Sequence, residues 1–407
     1  MAPWTLIEGG SITSVPGFRA AGVHCGLKAG DELDLGLVVS EVPCRAAAVF
    51  TTNRVQAAPV LWDKEVIAIS PEGVRAVVIN SGCANACTGE QGLRDARQMA
   101  RQVALAIGTG PHGVLVMSTG VIGQRLDMDK IGAGISAAVA SLSAEGGHKP
   151  ARAIMTTDTR PKEVAVRVEV AGRRVTIAGM CKGAGMIHPH MATLLGLILT
   201  DAAIAQPLLQ QALRQAVEAS FNRITVDGDM STNDTVAVLA NGLAGNEELR
   251  AENSPGYTGF LQGLTFVATE LAKGIVRDGE GASKFIEVQV RGARTEAEAK
   301  QAAMAVATSN LVKTAIYGKD PNWGRVICAV GYSGVEVDPD RLSLWFDDLH
   351  LVKDGQPYDV DEERAAEILS QDEITIAVDL GQGEAEATIW TCDLTHDYVT
   401  INAHYRT

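Results

Sequence analysis

Val164, Val166, Val168 and Val170 alternate with other residues, and the alternation resumes at Val175 and Ile177 after Ala171-Gly-Arg173. A period of two puts one face of each run on a common side, so the pattern predicts a β-hairpin. Leu33 to Ser40, Ala46 to Phe50, Val74 to Ile79, Leu194 to Thr200, Phe285 to Val290, Leu311 to Tyr317, Glu373 to Val378 and Ala385 to Trp390 read as further strands. Elsewhere the period lengthens to that of a helix. Leu93 to Ile107 places Met99, Val103 and Ile107 on one face and meets a stop at Gly108, while Ile131, Ile135, Val139 and Leu142 form a second stripe. Pro207 to Phe221, with proline in its first turn, and Glu296 to Thr308 are also expected helices. Strands and helices do not follow a regular βαβ beat, which predicts a mixed α/β fold whose sheets are covered by helices.

No Pro/Ser linker, low-complexity tract or short repeat divides the chain. Its 407 residues, 46% of them hydrophobic, are enough for one large or two medium domains. A net charge of −14 with no basic run argues against a nucleic-acid partner. A small carboxylate ligand would therefore need a local cation inside an acidic protein. No apolar run reaches the length of a membrane span and the N-terminus lacks a signal-like pattern, so a cytoplasmic protein is expected. The seven cysteines are scattered and odd in number, as expected of reduced thiols. Cys83 and Cys87 have no second Cys or His pair at zinc spacing, so no metal is expected.

The most informative stretch runs from Lys182 to Asp201, where a glycine-rich loop carrying a lysine passes into an apolar strand at Ala192-Thr193. A β-branched threonine suits a strand start for ordinary reasons. Cut free at its N-terminus, the same residue would hold a hydroxyl nucleophile beside an α-amine able to act as its base. Cys181 is a weaker nucleophile candidate: Lys182 beside it could lower a thiol pKa, but a cysteine nucleophile would normally want a histidine base. His188 and His190 flank Pro189, which favours loop geometry over a metal pair.

Eight segments carry a resemblance that covers the chain: Val49 to Asn53, Asn80 to Gly89, Ser118 to Gly123, Met155 to Thr159, Lys182 to Thr193, Thr225 to Asp234, Gly279 to Phe285 and Asp320 to Arg325. In this order they resemble the ornithine acetyltransferase (glutamate N-acetyltransferase) family of arginine biosynthesis, whose members cut themselves to expose an N-terminal threonine. The resemblance implies an αββα core with a smaller second lobe, and interleaved fragments 1–192 and 193–407 that are not independent domains. It implies cleavage between Ala192 and Thr193, Thr193 as nucleophile, and an oxyanion site from the Thr119 hydroxyl and the Gly120 amide. Thr156, Lys182, Thr193, Glu280, Asn402 and Thr407 are the implied substrate contacts. Charge assigns Lys182 to the α-carboxylate shared by N-acetylornithine and glutamate, and Glu280 to the ornithine ammonium. The implied reaction is ping-pong: Thr193 takes acetyl from N-acetylornithine and glutamate then removes it. An amidohydrolase or aminopeptidase, in which water resolves the same acyl-enzyme, is the rival. No cofactor is implied, acetyl-CoA stays open as a co-substrate, and the expected assembly is a heterotetramer of two fragments of each kind.

Overall fold

The computed structural model describes residues 3–188, 194–359 and 361–404. Among the described residues, nine strands form one continuous hydrogen-bonded system and six more form a second sheet. The larger system folds over on the strand Leu35–Phe50. The first part of that strand pairs antiparallel with Phe18–Val23 and with Val74–Asn80, which itself pairs parallel with Val114–Ser118. Its last six residues leave these neighbours and pair with Thr235–Ala240, after a register shift between Val39 and Cys44. Two strands were expected here. Charged or proline-bearing positions at Glu41 to Arg45 break the apolar run, yet the backbone stays extended through the bend.

The expected hairpin is present as Lys162–Val170 and Arg173–Lys182, and Leu195–Thr200 adds to it on the other side. The pleat then sorts side chains between two cores. Ala178, Met180, Leu195, Leu197, Leu199, Ala237 and Leu239 point into a core shared with Leu35, Leu37 and Val77. Val175, Ile177, Ile198, Val236 and Val238 point the other way, onto the helices Gln206–Glu218 and Tyr257–Arg277. Helices Ala58–Ile69, Gly89–Ile107 and Met128–Ala140 cover the opposite side. The order of layers is thus helix, sheet, sheet, helix, the expected αββα core. Leu195–Thr200 is buried on both faces, which explains why its sequence reads as an unbroken apolar run. Gly108 ends its helix in the left-handed conformation, with φ 70°.

The smaller lobe is the six-stranded sheet, in which Phe285–Ala293 lies between Glu373–Asp379 and Ala385–Cys392. Glu296–Ala307 packs on it. One expected strand is corrected here: Asn310–Tyr317 is a helix. The Ser309 side chain caps it by accepting from the Val312 amide, and Val312, Ala315 and Ile316 are buried while Leu311 is exposed. That spacing is helical. The β-branched content of Leu311 to Tyr317 concealed it, and packing against the lobe outweighed a propensity of a few tenths of a kcal/mol per residue. Among the described residues, no helix is long and apolar enough to cross a membrane.

Candidate active site

Lys182 is the last residue of its strand and sits opposite Leu195 in the ladder, so the connection carrying residues 183 to 194 leaves and re-enters the sheet at one point. Ala178, Met180 and Lys182 share the face turned toward the inner core, and Lys182 Nζ donates to Thr119 Oγ1 at 3.3 Å across the gap between sheets. Thr119 follows Val114–Ser118, at the end of that strand. A cavity of about 230 Å³ opens at this point. Thr119, Gly120, Thr156, Lys182, Glu280 and Asn402 all line it. Six expected residues, spread over nearly three hundred positions, therefore meet at one place. Ala192, Thr193, His190 and Thr407 lie outside the described residues.

The turn at Thr119-Gly120 is held from several directions. Thr119 N donates to Asn80 O at 3.0 Å, Ser118 Oγ to Asn80 Oδ1 at 2.6 Å, and Asn233 Nδ2 to both Ala84 O and Ser118 O. Gly120 has φ 129°, and a Cβ there would lie 2.3 Å from the Gly82 carbonyl carbon. Only glycine fits that approach. Its N–H has no acceptor among the described residues. The Thr119 hydroxyl accepts from an ammonium and still has its own hydrogen to give. Both are therefore donors available to a developing negative charge.

The charges are organised by a cluster that the sequence reading left without a role. Lys162 lies between Asp158 and Asp278, 2.6 Å from an oxygen of each, and all three are buried. Asp158 also accepts from Thr156 N at 3.0 Å and Gly183 N at 2.8 Å, while Asp278 accepts from Thr159. The loops bearing Thr156, Lys182 and Glu280 are thus tied to one buried centre. Burial pushes the Asp158 carboxyl up, but the Lys182 and Lys162 charges outweigh it and bring it down to about 2. For Lys162 the two aspartates outweigh burial, and its ammonium is held above the usual range. Burial wins at Lys182 and lowers its pKa, against the opposing field of Asp158.

Glu280 faces Lys182 across the cavity and accepts from Asn402 Nδ2 at 2.8 Å. Asn402 belongs to the helix His396–His404, which rests on the turn after Glu280: Thr395 Oγ1 donates to Gly281 O at 2.7 Å. Tyr398 of this helix, Asp227 and Asn233 also line the cavity. The sequence reading missed them, although Asp227 and Asn233 lie inside the quoted segment Thr225 to Asp234. Cys181 is buried, and burial pushes its thiol up to about 12, unlike a poised nucleophile. His188 Nδ1 is 3.3 Å from Thr225 Oγ1, consistent with a loop anchor. Among the described residues, no group of three or more His, Cys, Asp or Glu is arranged to hold a metal ion.

The model of the ArgJ family matches residues 19–407. The arginine biosynthesis bifunctional protein ArgJ of Symbiobacterium thermophilum is 54% identical over 98% of this chain and 99% of its own length. Its namesake from Oceanobacillus iheyensis is 51% identical over 99% and 98%. A crystal structure of the Bacillus halodurans protein of that name is 48% identical, with TM-score 0.49 over 50% of this chain and 96% of that one.

Proposed function

The chain belongs to the ArgJ family, and from that premise we propose that it is an acetyltransferase of arginine biosynthesis that moves acetyl from N-acetylornithine to glutamate. The observation that carries this reading is the cavity itself: the buried cation Lys182, the opposed carboxylate Glu280 with Asp227 and Asp229 also in the lining, and two hydrogen-bond donors surround a space suited to a small amino acid. Lys182 takes the α-carboxylate that donor and acceptor share. Glu280, aligned by Asn402, takes the side-chain ammonium of the ornithine compound.

The chemistry begins with self-cleavage between Ala192 and Thr193. The freed α-amine, whose ordinary pKa is about 7.7 to 8.0, accepts the Thr193 hydroxyl proton. The hydroxyl attacks the acetyl carbonyl, Thr119 and Gly120 receive the oxyanion, and ornithine leaves from an acetyl-threonine. Glutamate then enters, its amine attacks the ester, and N-acetylglutamate departs. Thr407 completes the proposed substrate contacts, two fragments of each kind form the active heterotetramer, and acetyl-CoA serves as an alternative donor.

One experiment tests the sequence of events. Intact-mass measurement should give fragments of roughly 20 and 23 kDa when 42.8 kDa is divided in proportion to length. The same sample should form N-acetylglutamate from N-acetylornithine only when glutamate is present. Acetate release at a comparable rate without glutamate would make the protein a hydrolase instead. Omitting N-acetylornithine and adding acetyl-CoA tests the second donor.

A further inference from the structure

Lys162 and Lys182 stand at the same end of one hairpin and on opposite faces of it. Lys162 is opposite Cys181 in the ladder, so its side chain shares the Cys181 face, which packs on the helix Tyr257–Arg277. A Cβ at Gly274 of that helix would lie 3.6 Å from Lys162 Cγ. Lys182, one residue further along, turns to the cavity. Both lysines are buried, yet they are partnered differently. Lys162 Nζ lies 2.6 Å from an oxygen of Asp158 and of Asp278. Lys182 Nζ donates to the Thr119 hydroxyl and, among the described residues, meets no carboxylate at ion-pair distance. A buried ammonium with hydrogens to spare is costly unless an anion comes to it.

Asp158 is the anion between the two. Its Oδ1 accepts from Lys162 Nζ and also from the amide of Gly183, the residue next to Lys182, at 2.8 Å, while its Oδ2 accepts from Thr156 N. Burial lowers the Lys182 pKa, and the carboxylates opposing it are Asp158, Glu280 and Asp234 in that order. Asp278, at the end of the helix, is held instead by Lys162 and Thr159.

We propose that Lys162 is a positioning residue for substrate binding: it keeps Asp158 to itself and so leaves the Lys182 ammonium open to a substrate carboxylate. The inference rests on the reading that Lys182 receives the α-carboxylate. Without the Lys162 charge, Asp158 has one lysine left to turn to, the one that substrate needs. Its carboxylate then competes with that of N-acetylornithine or glutamate. The two aspartates meet Lys162 at the same distance, so a lysine that merely held the fold together would treat them alike. A lysine that keeps Lys182 free would not, because Asp158 alone of the two is bonded to the residue beside Lys182.

The test is a cycle of variants in the full chain, read as KM and kcat for both substrates. Lys162→Met in an Asp278→Asn background leaves Asp158 as the carboxylate without its lysine. KM for N-acetylornithine and for glutamate should then rise about 10- to 100-fold over Asp278→Asn alone, with kcat within about threefold. Lys162→Met in an Asp158→Asn background leaves Asp278 instead, and KM should stay within about threefold of Asp158→Asn alone. The two double variants carry the same net charge, so a difference between them reads the Asp158–Lys182 competition and not a general change in field. Equal changes of KM in the two backgrounds would overturn the assignment. So would failure of either double variant to fold or to cleave, which would make Lys162 a structural residue. Lys182→Met separates this from the underlying reading: if both KM values stay unchanged, Lys182 does not hold the carboxylate and that reading fails, whereas if they rise while the cycle is flat, only the role of Lys162 falls.

Discussion

Thr119 and Lys182 touch at the wall of the cavity, and their roles separate once each is removed. Thr119→Ala deletes one oxyanion donor, for which a loss of about 10² to 10³ in turnover is expected with little change in KM. Turnover unchanged in a fully cleaved sample would remove Thr119 from the chemistry. Lys182→Met should weaken both N-acetylornithine and glutamate by roughly one to two decades, since both present an α-carboxylate. Glu280→Gln should weaken the ornithine compound more than glutamate; equal losses measured as KM in cleaved enzyme would refute the assignment of ends. Asp158 gives a prediction in pH. Its folded pKa of about 2 lies below its unfolded value of about 3.9, so its stabilisation is complete above the higher figure and lost as pH falls through the lower. Unfolding free energies from urea titration of the unaltered chain and Asp158→Asn should therefore differ by about 2 kcal/mol at pH 6 and converge near pH 2. Five of the six described site residues were legible because each sits in one of the eight segments, while Asn402 was implied by the family resemblance alone. Lys162 was not: an isolated lysine opening a valine-rich strand has the pattern of an exposed edge charge, and only folding brings Asp278 to it.

Some elements that carry a single clean period were read from sequence, while the helix Tyr257–Arg277 went unread. Gly89–Ile107 and the hairpin ending at Lys182 follow one period from end to end. Asn310–Tyr317 has strand-forming residues at helical spacing, and its buried Lys313 spends its charge on Val226 O at 2.7 Å, a partner no local pattern announces. The helix His396–His404 depends on a different element again. Gly281 has φ 67°, and a Cβ on it would lie 2.5 Å from Tyr398 N. Gly281→Ala should therefore push the helix away from Glu280 and cost about 1 to 3 kcal/mol in backbone strain. The expected signature is a lower Tm and a raised KM for N-acetylornithine, with self-cleavage preserved. A KM that does not move would mean that Asn402 contributes nothing to binding.

At the scale of the molecule, the point of proposed cleavage and the boundary between lobes are different places. Arg173–Lys182 pairs with Leu195–Thr200 over six residues, and Leu35–Phe50 pairs with Thr235–Ala240 over six more, so two ladders join residues before 192 to residues after it. Both also share the inner core. The two fragments should consequently elute together in size-exclusion chromatography and separate only in denaturant; separation under native conditions would contradict this account. The family resemblance implied the layers and the junction, while the ladder between Leu35–Phe50 and Thr235–Ala240 joins residues nearly two hundred positions apart.

Those two ladders also set the direction of time for this protein. While the peptide bond is whole, every strand can find its neighbour within one chain, and folding proceeds at a rate independent of concentration. After the proposed cut, the same sheet would have to be rebuilt by an encounter between two molecules, and neither alone could complete either ladder. Denatured precursor, such as Thr193→Ala, should recover its shape by first-order kinetics, whereas denatured mature enzyme should do so by second-order kinetics, more slowly at each dilution. On the proposed scheme, the information for assembly is spent when the nucleophile is freed.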